Sequence, residues 1–349
     1  MWYYSSMERE TLINTLKLSL TGNRPEDREK VFQFAENVDF DDQNSELLSY
    51  LRFAYAYIPS SLKDVDKAEF ERHEHLSIKV ILNIANLLEE IPLVRRLDLL
   101  SYIIEYVESR DPRIKVTDTA IFDFSTYFER VLFESISNVP TEINEAIYPY
   151  AHIYLTFGDK LAEFGDSRGA IEAYAKANRW NPISTAILQR LCGYFYHIKD
   201  SAELKRIATW MLKISFEGRD IATAMQFIGY ALYLDGKFEQ AYAYYFVSLK
   251  YSDVKSKGLN EEISAILTAL GKDEPYNLTN RQVKDLFLGQ KETPTTNPLI
   301  FSVLRKYIIE NFNEEDYTEV IEYAPDYLLV NSWDKKINSI FEQSKKLLN

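Results

Sequence analysis

Tyr154-x-x-Phe157-Gly158-x-x-Leu161, then Gly165-Asp166, then Ala170-x-x-x-Tyr174-x-x-Ala177 and finally Pro182 is the stretch on which the fold of this 349-residue chain turns. Its parts return as Met225-x-x-Ile228-Gly229-x-x-Leu232, Gly236-Lys237 and Ala241-x-x-x-Tyr245, with Ser248 for the last alanine and Asp253 for the proline. Between them lies a degraded copy, Leu188-x-x-Leu191-Cys192-x-x-Phe195 followed by Leu204-x-x-x-Ala208, which has no closing proline. The spacing ties the copies together. Gly158, Cys192 and Gly229 stand 34 and 37 positions apart, and Ala170, Leu204 and Ala241 repeat the same two intervals. One three-residue shift explains both series, and its expected place is Ser215 to Asp220.

These residue types suit short antiparallel helices in close contact. Gly158, Cys192, Gly229, Ala170 and Ala241 let two backbones approach, and Tyr174 and Tyr245 fill the volume beside them. Glycine at 165 and 236 can take the left-handed conformation that ends a first helix. Pro182 stops the second. A single pair leaves an apolar face uncovered, so pairs must stack.

The pattern resembles the tetratricopeptide repeat (TPR), most clearly over residues 151–253. The resemblance implies an all-α fold: a superhelical stack of antiparallel helix pairs, a TPR-like α-solenoid closed by a C-terminal capping helix. An ordinary helical bundle with chance similarity is the competing reading. Family resemblance also implies a partner held on the inner face of the first helices. One position round from the packing stripe, the middle copy offers Gln189, Gly193, Tyr196 and His197, with Arg190 beside them, and the third offers Gln226, Tyr230 and Tyr233, with Phe227 beside them. Glutamine and arginine can pair with an extended peptide backbone, and tyrosine supplies contact area at low entropy cost. Repeats that clamp carboxyl-terminal peptides use several lysines and arginines there. Arg190 alone departs from that mode. The alternative for this face is cover by the chain's own amino-terminal helices.

Composition narrows the class. The chain is 46% hydrophobic with only 11 glycines and 11 prolines, which favours helix nearly throughout. A single cysteine, Cys192, excludes an internal disulfide and fits a reduced compartment. With no basic leader and no apolar run of roughly 20 residues, no membrane span is expected and cytoplasmic residence is the simplest expectation. Net charge is −13, from 40 basic and 53 acidic residues, which argues against nucleic acid as a partner. Residues 151–253 hold 12 basic and 11 acidic residues, so the excess acid lies outside the repeats, including Asp39-Phe40-Asp41-Asp42.

Three regions are expected: a divergent helical region over 1–150 continuous with the stack, the repeats over 151–253, and a helical region over 254–349 with a linker near 289–298. In the first, helices are read near Glu8–Leu20, Pro25–Asn37, Ser45–Ile58, Asp64–Glu90, Leu93–Glu108, Thr119–Ile136 and Thr141–Leu161. In the last, they are read at Asn260–Leu270, Gln282–Leu288, Leu299–Asn311, Glu314–Leu328 and Ser332–Leu348. That final helix is amphipathic through Trp333, Ile337, Ile340, Phe341 and Leu347.

Catalytic signals are weak. His73-Glu74-His75 lacks the four-residue histidine spacing of helical zinc sites, and the chain has no phosphate-binding glycine loop, nucleophile elbow or dinucleotide fingerprint. No cofactor or metal is expected. The reading is therefore a non-enzymatic protein- or peptide-binding scaffold, an adaptor or chaperone-like protein. Two alternatives stay open: a ligand-responsive regulatory sensor, and an enzyme with a site between the amino-terminal helices and the repeats.

Overall fold

The computed structural model describes residues 13–37, 45–58, 74–110, 120–137, 143–252, 258–290 and 293–348, and they are predominantly helical. In chain order the elements are α1 (Arg24–Asn37), α2 (Ser45–Tyr55), α3 (Glu74–Leu87), α4 (Leu93–Glu108), β1 (Ala120–Phe122), α5 (Tyr127–Ile136) and β2 (Ile143–Glu145). Then follow α6 (Tyr150–Phe164), α7 (Ser167–Trp180), α8 (Thr185–His197), α9 (Ser201–Ile214), α10 (Gly218–Leu234) and α11 (Phe238–Ser248). The last are α12 (Leu259–Ala269), α13 (Asn280–Leu286), α14 (Pro298–Asn313), α15 (Tyr317–Val330) and α16 (Lys335–Leu348).

The chain divides into two compact units, one of Met1–Asp123 with Glu145–Ala177, the other of Phe124–Asn144 with Asn178–Asn349. In the first unit α3 packs on α1, α2 and α4, and α4 packs on α6. Leu99, Leu100, Ile103 and Val107 of α4 are fully buried, the apolar stripe that a helical period produces. Tyr154 donates its hydroxyl to the Glu108 carboxylate at 2.8 Å. In α3, Val80 and Ile84 stand four apart, at helical spacing, and both are buried.

In the second unit α8 packs on α9, α9 on α10, and α10 on α11, while α8 also touches α10. A separate set, α14, α15 and α16, packs mutually, and α5 joins it. Four rings form the joint. Phe128 of α5 lies 4.9 Å from Phe216, 4.9 Å from Tyr307 and 5.0 Å from Tyr323, centroid to centroid. Such tilted and edge-on pairs add about 0.5–1.5 kcal/mol each beyond area burial.

Two expected helices are shorter than the reading of them. Thr119–Ile136 is not one helix: β1 comes first, and α5 starts only after Thr126, whose side chain accepts the Glu129 amide at 3.1 Å. Thr141–Leu161 likewise yields β2, and α6 starts after Pro149. Apolar periodicity cannot see these breaks, because the Thr126 hydroxyl acts by capping a backbone amide and Pro149 by having none to donate. The expected helix Asp64–Glu90 is described from Glu74 to Leu87, and residues 59–73 lie outside the described residues, as does Asp39-Phe40-Asp41-Asp42. Between Gly289 and Pro298 the described residues form no helix, and Asn297 both caps α14 and donates to the Lys213 carbonyl at 2.9 Å. In α16, Ile337 and Ile340 are buried as expected, but Trp333 is 75% exposed and Leu347 58% exposed. Trp333 stands in the turn before α16, and Leu347 is the second-last residue of the helix.

Candidate functional site

One backbone turn recurs and puts the copies in register. The amides of Asp166, Asp200 and Lys237 donate to the carbonyls of Leu161, Phe195 and Leu232 at 2.9–3.0 Å. Before each donor stands a left-handed residue: Gly165, Lys199 or Gly236, with φ of 92°, 58° and 74°. This is the six-to-one bond that closes a helix C-terminus. The turn appears twice more, at Gly271-Lys272, bonded to Leu267, and at Glu315-Asp316, bonded to Asn311. α12 and α14 therefore end as α6, α8 and α10 do. Gly271-Lys272 repeats the wording of Gly236-Lys237 and was readable. Glu315-Asp316 was not, because glutamate gives no sign of a positive φ.

The extra residues of the third copy are helical. α10 begins at Gly218, about one turn earlier than the start of α8 would predict. At this early start the Gly218 amide donates to Asp326 of α15 at 3.1 Å. A Cβ on Gly218 would sit 2.4 Å from Leu329 and 2.5 Å from the Tyr251 carbonyl, so the approach requires glycine.

Inside the pairs, the small residue is met by a ring. A Cβ on Gly158 would come within 2.5 Å of the Tyr174 ring, and one on Gly229 within 2.7 Å of the Tyr245 ring. In the middle copy Cys192 and Ala208 are both fully buried, so a larger first residue accompanies a smaller second one. Burial pushes the Cys192 thiol up to about 12, which removes it as a nucleophile near neutral pH.

The second stripe is half-exposed and aromatic. Tyr196 of α8 lies 4.2 Å from Tyr230 and 6.3 Å from Phe227 of α10, and Tyr230 lies 6.1 Å from Tyr233. The polar members of the expected set are placed differently. Gln189 donates to Asp220 at 2.7 Å and Gln226 to Ser248 at 3.5 Å, so both amides hold neighbouring helices of the chain itself. Arg190, in the middle of α8, and His197, at its last position, are both exposed.

Glu262 of α12 joins the face and was not anticipated. Its carboxylate accepts the Tyr196 hydroxyl at one oxygen and the Tyr245 hydroxyl, at 2.6 Å, at the other. Burial, and then this carboxylate, raise both tyrosine pKa values, which keeps the hydroxyls as donors. Counted from the recurring turn, Arg190, Phe227 and Glu262 each stand five residues before the bonded carbonyl. Cation, ring and carboxylate thus occupy equivalent positions on α8, α10 and α12.

A group of acids surrounds the start of α10. Partial burial, then Asp220, Asp326 and Glu322, push Glu217 up to about 7, with Arg219 opposing. Asp220 and Asp326 are raised as well, chiefly by burial. Among the described residues no group of three or more His, Cys, Asp or Glu is arranged to hold a metal ion. His73 and the side chains of Glu74 and His75 lie outside the described residues. No described helix is long and apolar enough to cross a membrane.

No protein-family model matches this chain, and no curated protein matches it.

Proposed function

We propose that the protein is a non-enzymatic scaffold in which TPR-like helix pairs form a stack, and that the stripe of Tyr196, Phe227, Tyr230 and Tyr233 holds a segment of a partner protein. The observation that carries this reading is a division of labour among aromatics. Tyr174 and Tyr245 are consumed by contact with Gly158 and Gly229, whereas the four stripe rings remain partly open to solvent. Partly exposed, mutually packed rings give a partner large apolar area with little side-chain entropy left to lose. Arg190 and Glu262, at equivalent positions either side of Phe227, add opposite charges, a polarity that an extended segment must match in direction.

The test is affinity capture from native lysate with the natural chain and with a variant carrying Arg190→Ala and Tyr230→Ala together. The variant is expected to keep its helical circular dichroism and lose one captured protein by tenfold or more, on the order of a central interface residue's share. An unchanged set of captured proteins would remove this face from consideration.

A further inference from the structure

The recurring turn makes α12 equivalent to α6 and α10, yet among the described residues only the seven-residue α13 follows it where α7 and α11 follow those two. Gly158 and Gly229 stand three residues before the bonded carbonyls of Leu161 and Leu232. Ser264 stands three before Leu267. In the first two cases a tyrosine from the following helix covers the small residue. After α12 the chain runs as a loop through Pro275, and Thr279 starts only the seven-residue α13. Ser264 is left exposed, lining a cavity of about 530 Å³ with Phe246, Leu259, Ile263, Leu267 and Tyr276. That volume lies in the range of sites that enclose a ligand.

The walls are preformed. The Tyr242 hydroxyl donates to the Tyr276 carbonyl at 2.7 Å and accepts the Tyr276 amide at 2.8 Å, and the two rings stack at 4.5 Å. Phe246 continues the row at 6.4 Å from Tyr242. An ammonium group sits over each end: Lys250 lies 5.6 Å from the Phe246 ring centroid and Lys272 5.8 Å from that of Tyr276. Asp273 is the carboxylate of the lining. An aromatic ring matches the vacant place on Ser264, and acidic residues beside it match the two lysines.

We infer that this cavity is a second docking site, taking the aromatic side chain of an acidic helix from a partner protein in the place that Tyr174 and Tyr245 fill on α6 and α10. The site is independent of the Tyr196–Tyr233 stripe. A fluorescently labelled helical peptide of alanine and glutamate with one central tyrosine is the probe, titrated into the full chain by anisotropy. Binding is expected, and it should weaken about tenfold or more when the peptide's tyrosine becomes alanine, or when the protein carries Ser264→Trp, which fills the slot from an exposed position. Replacing the peptide's glutamates by lysine, or Lys250 and Lys272 by glutamate, should weaken it as well. Tyr230→Ala should leave it unchanged, which separates this site from the stripe. Hydrogen exchange on the natural chain should slow over residues 258–277 when peptide is added. Absence of binding, equal binding by the Ser264→Trp protein or by the tyrosine-free peptide, or slowed exchange only elsewhere would overturn the inference.

Discussion

A hydrogen atom where other residues carry a methyl or more is what lets the Tyr245 ring lie against α10 at Gly229. A Cβ there would meet the ring at 2.7 and 2.8 Å and the Ala241 carbonyl at 3.3 Å, and both Tyr245 and Ala241 are fully buried. Gly229→Ala should therefore destabilise the chain by about 1–3 kcal/mol, as overpacking does. Gly193 of α8, two helices earlier, has nothing within 4 Å of its missing Cβ. Gly193→Ala should stabilise by up to about 1 kcal/mol through helix propensity alone. Urea denaturation of both variants tests the pair, and shifts of the same sign would refute the packing argument. The same two glycines look alike as letters, and only the pattern around Gly229 distinguishes them in the sequence.

At the scale of elements, the start of α10 is where opposing effects meet. A helix N-terminus favours negative charge. Here burial and the crowding of Glu217, Asp220, Glu322 and Asp326 prevail, and Glu217 titrates near 7 instead of at its ordinary 4.5. Folded Glu217 holds its proton more tightly than the unfolded chain does. Its contribution is therefore complete below about pH 4.5 and is lost as pH rises through about 7. The thermal midpoint should fall between pH 5 and pH 8, and Glu217→Gln should flatten that fall. An identical pH profile for the variant would show that these acids do not govern the stability of α10. None of this was visible in the sequence, since the acids come from α10, its preceding loop and α15, about 100 positions away. What was visible at this scale is the pairing of helices, because glycine, proline and apolar spacing act between close neighbours in the chain.

On the scale of the whole molecule, neither compact unit is a continuous stretch of chain. The second unit takes α5 from upstream of α6, and the boundary near Ala177 falls inside α7. The aromatic joint of Phe128, Phe216, Tyr307 and Tyr323 makes α5 belong there, and Phe128 is 1% exposed. Phe128→Ala should cost about 3–5 kcal/mol and speed hydrogen exchange in α14 and α15, although these helices lie far along the sequence. Exchange faster only within α5 would refute the joint.

The sequence by itself determined the helical character, the register of the copies over 151–253, the glycine–tyrosine contacts and the aromatic stripe, because each follows from the repeat of small and large residues at helical spacing. Tertiary structure alone decided that Gln189 and Gln226 bind within the chain, that Glu262 meets Tyr196 and Tyr245, that α5 joins α14 and α15, and that Ser264 faces an empty place. Local periodicity records which face of a helix is buried. It carries no label for the distant side chain that will share the space, and that choice is made by volume and charge once the chain has closed on itself.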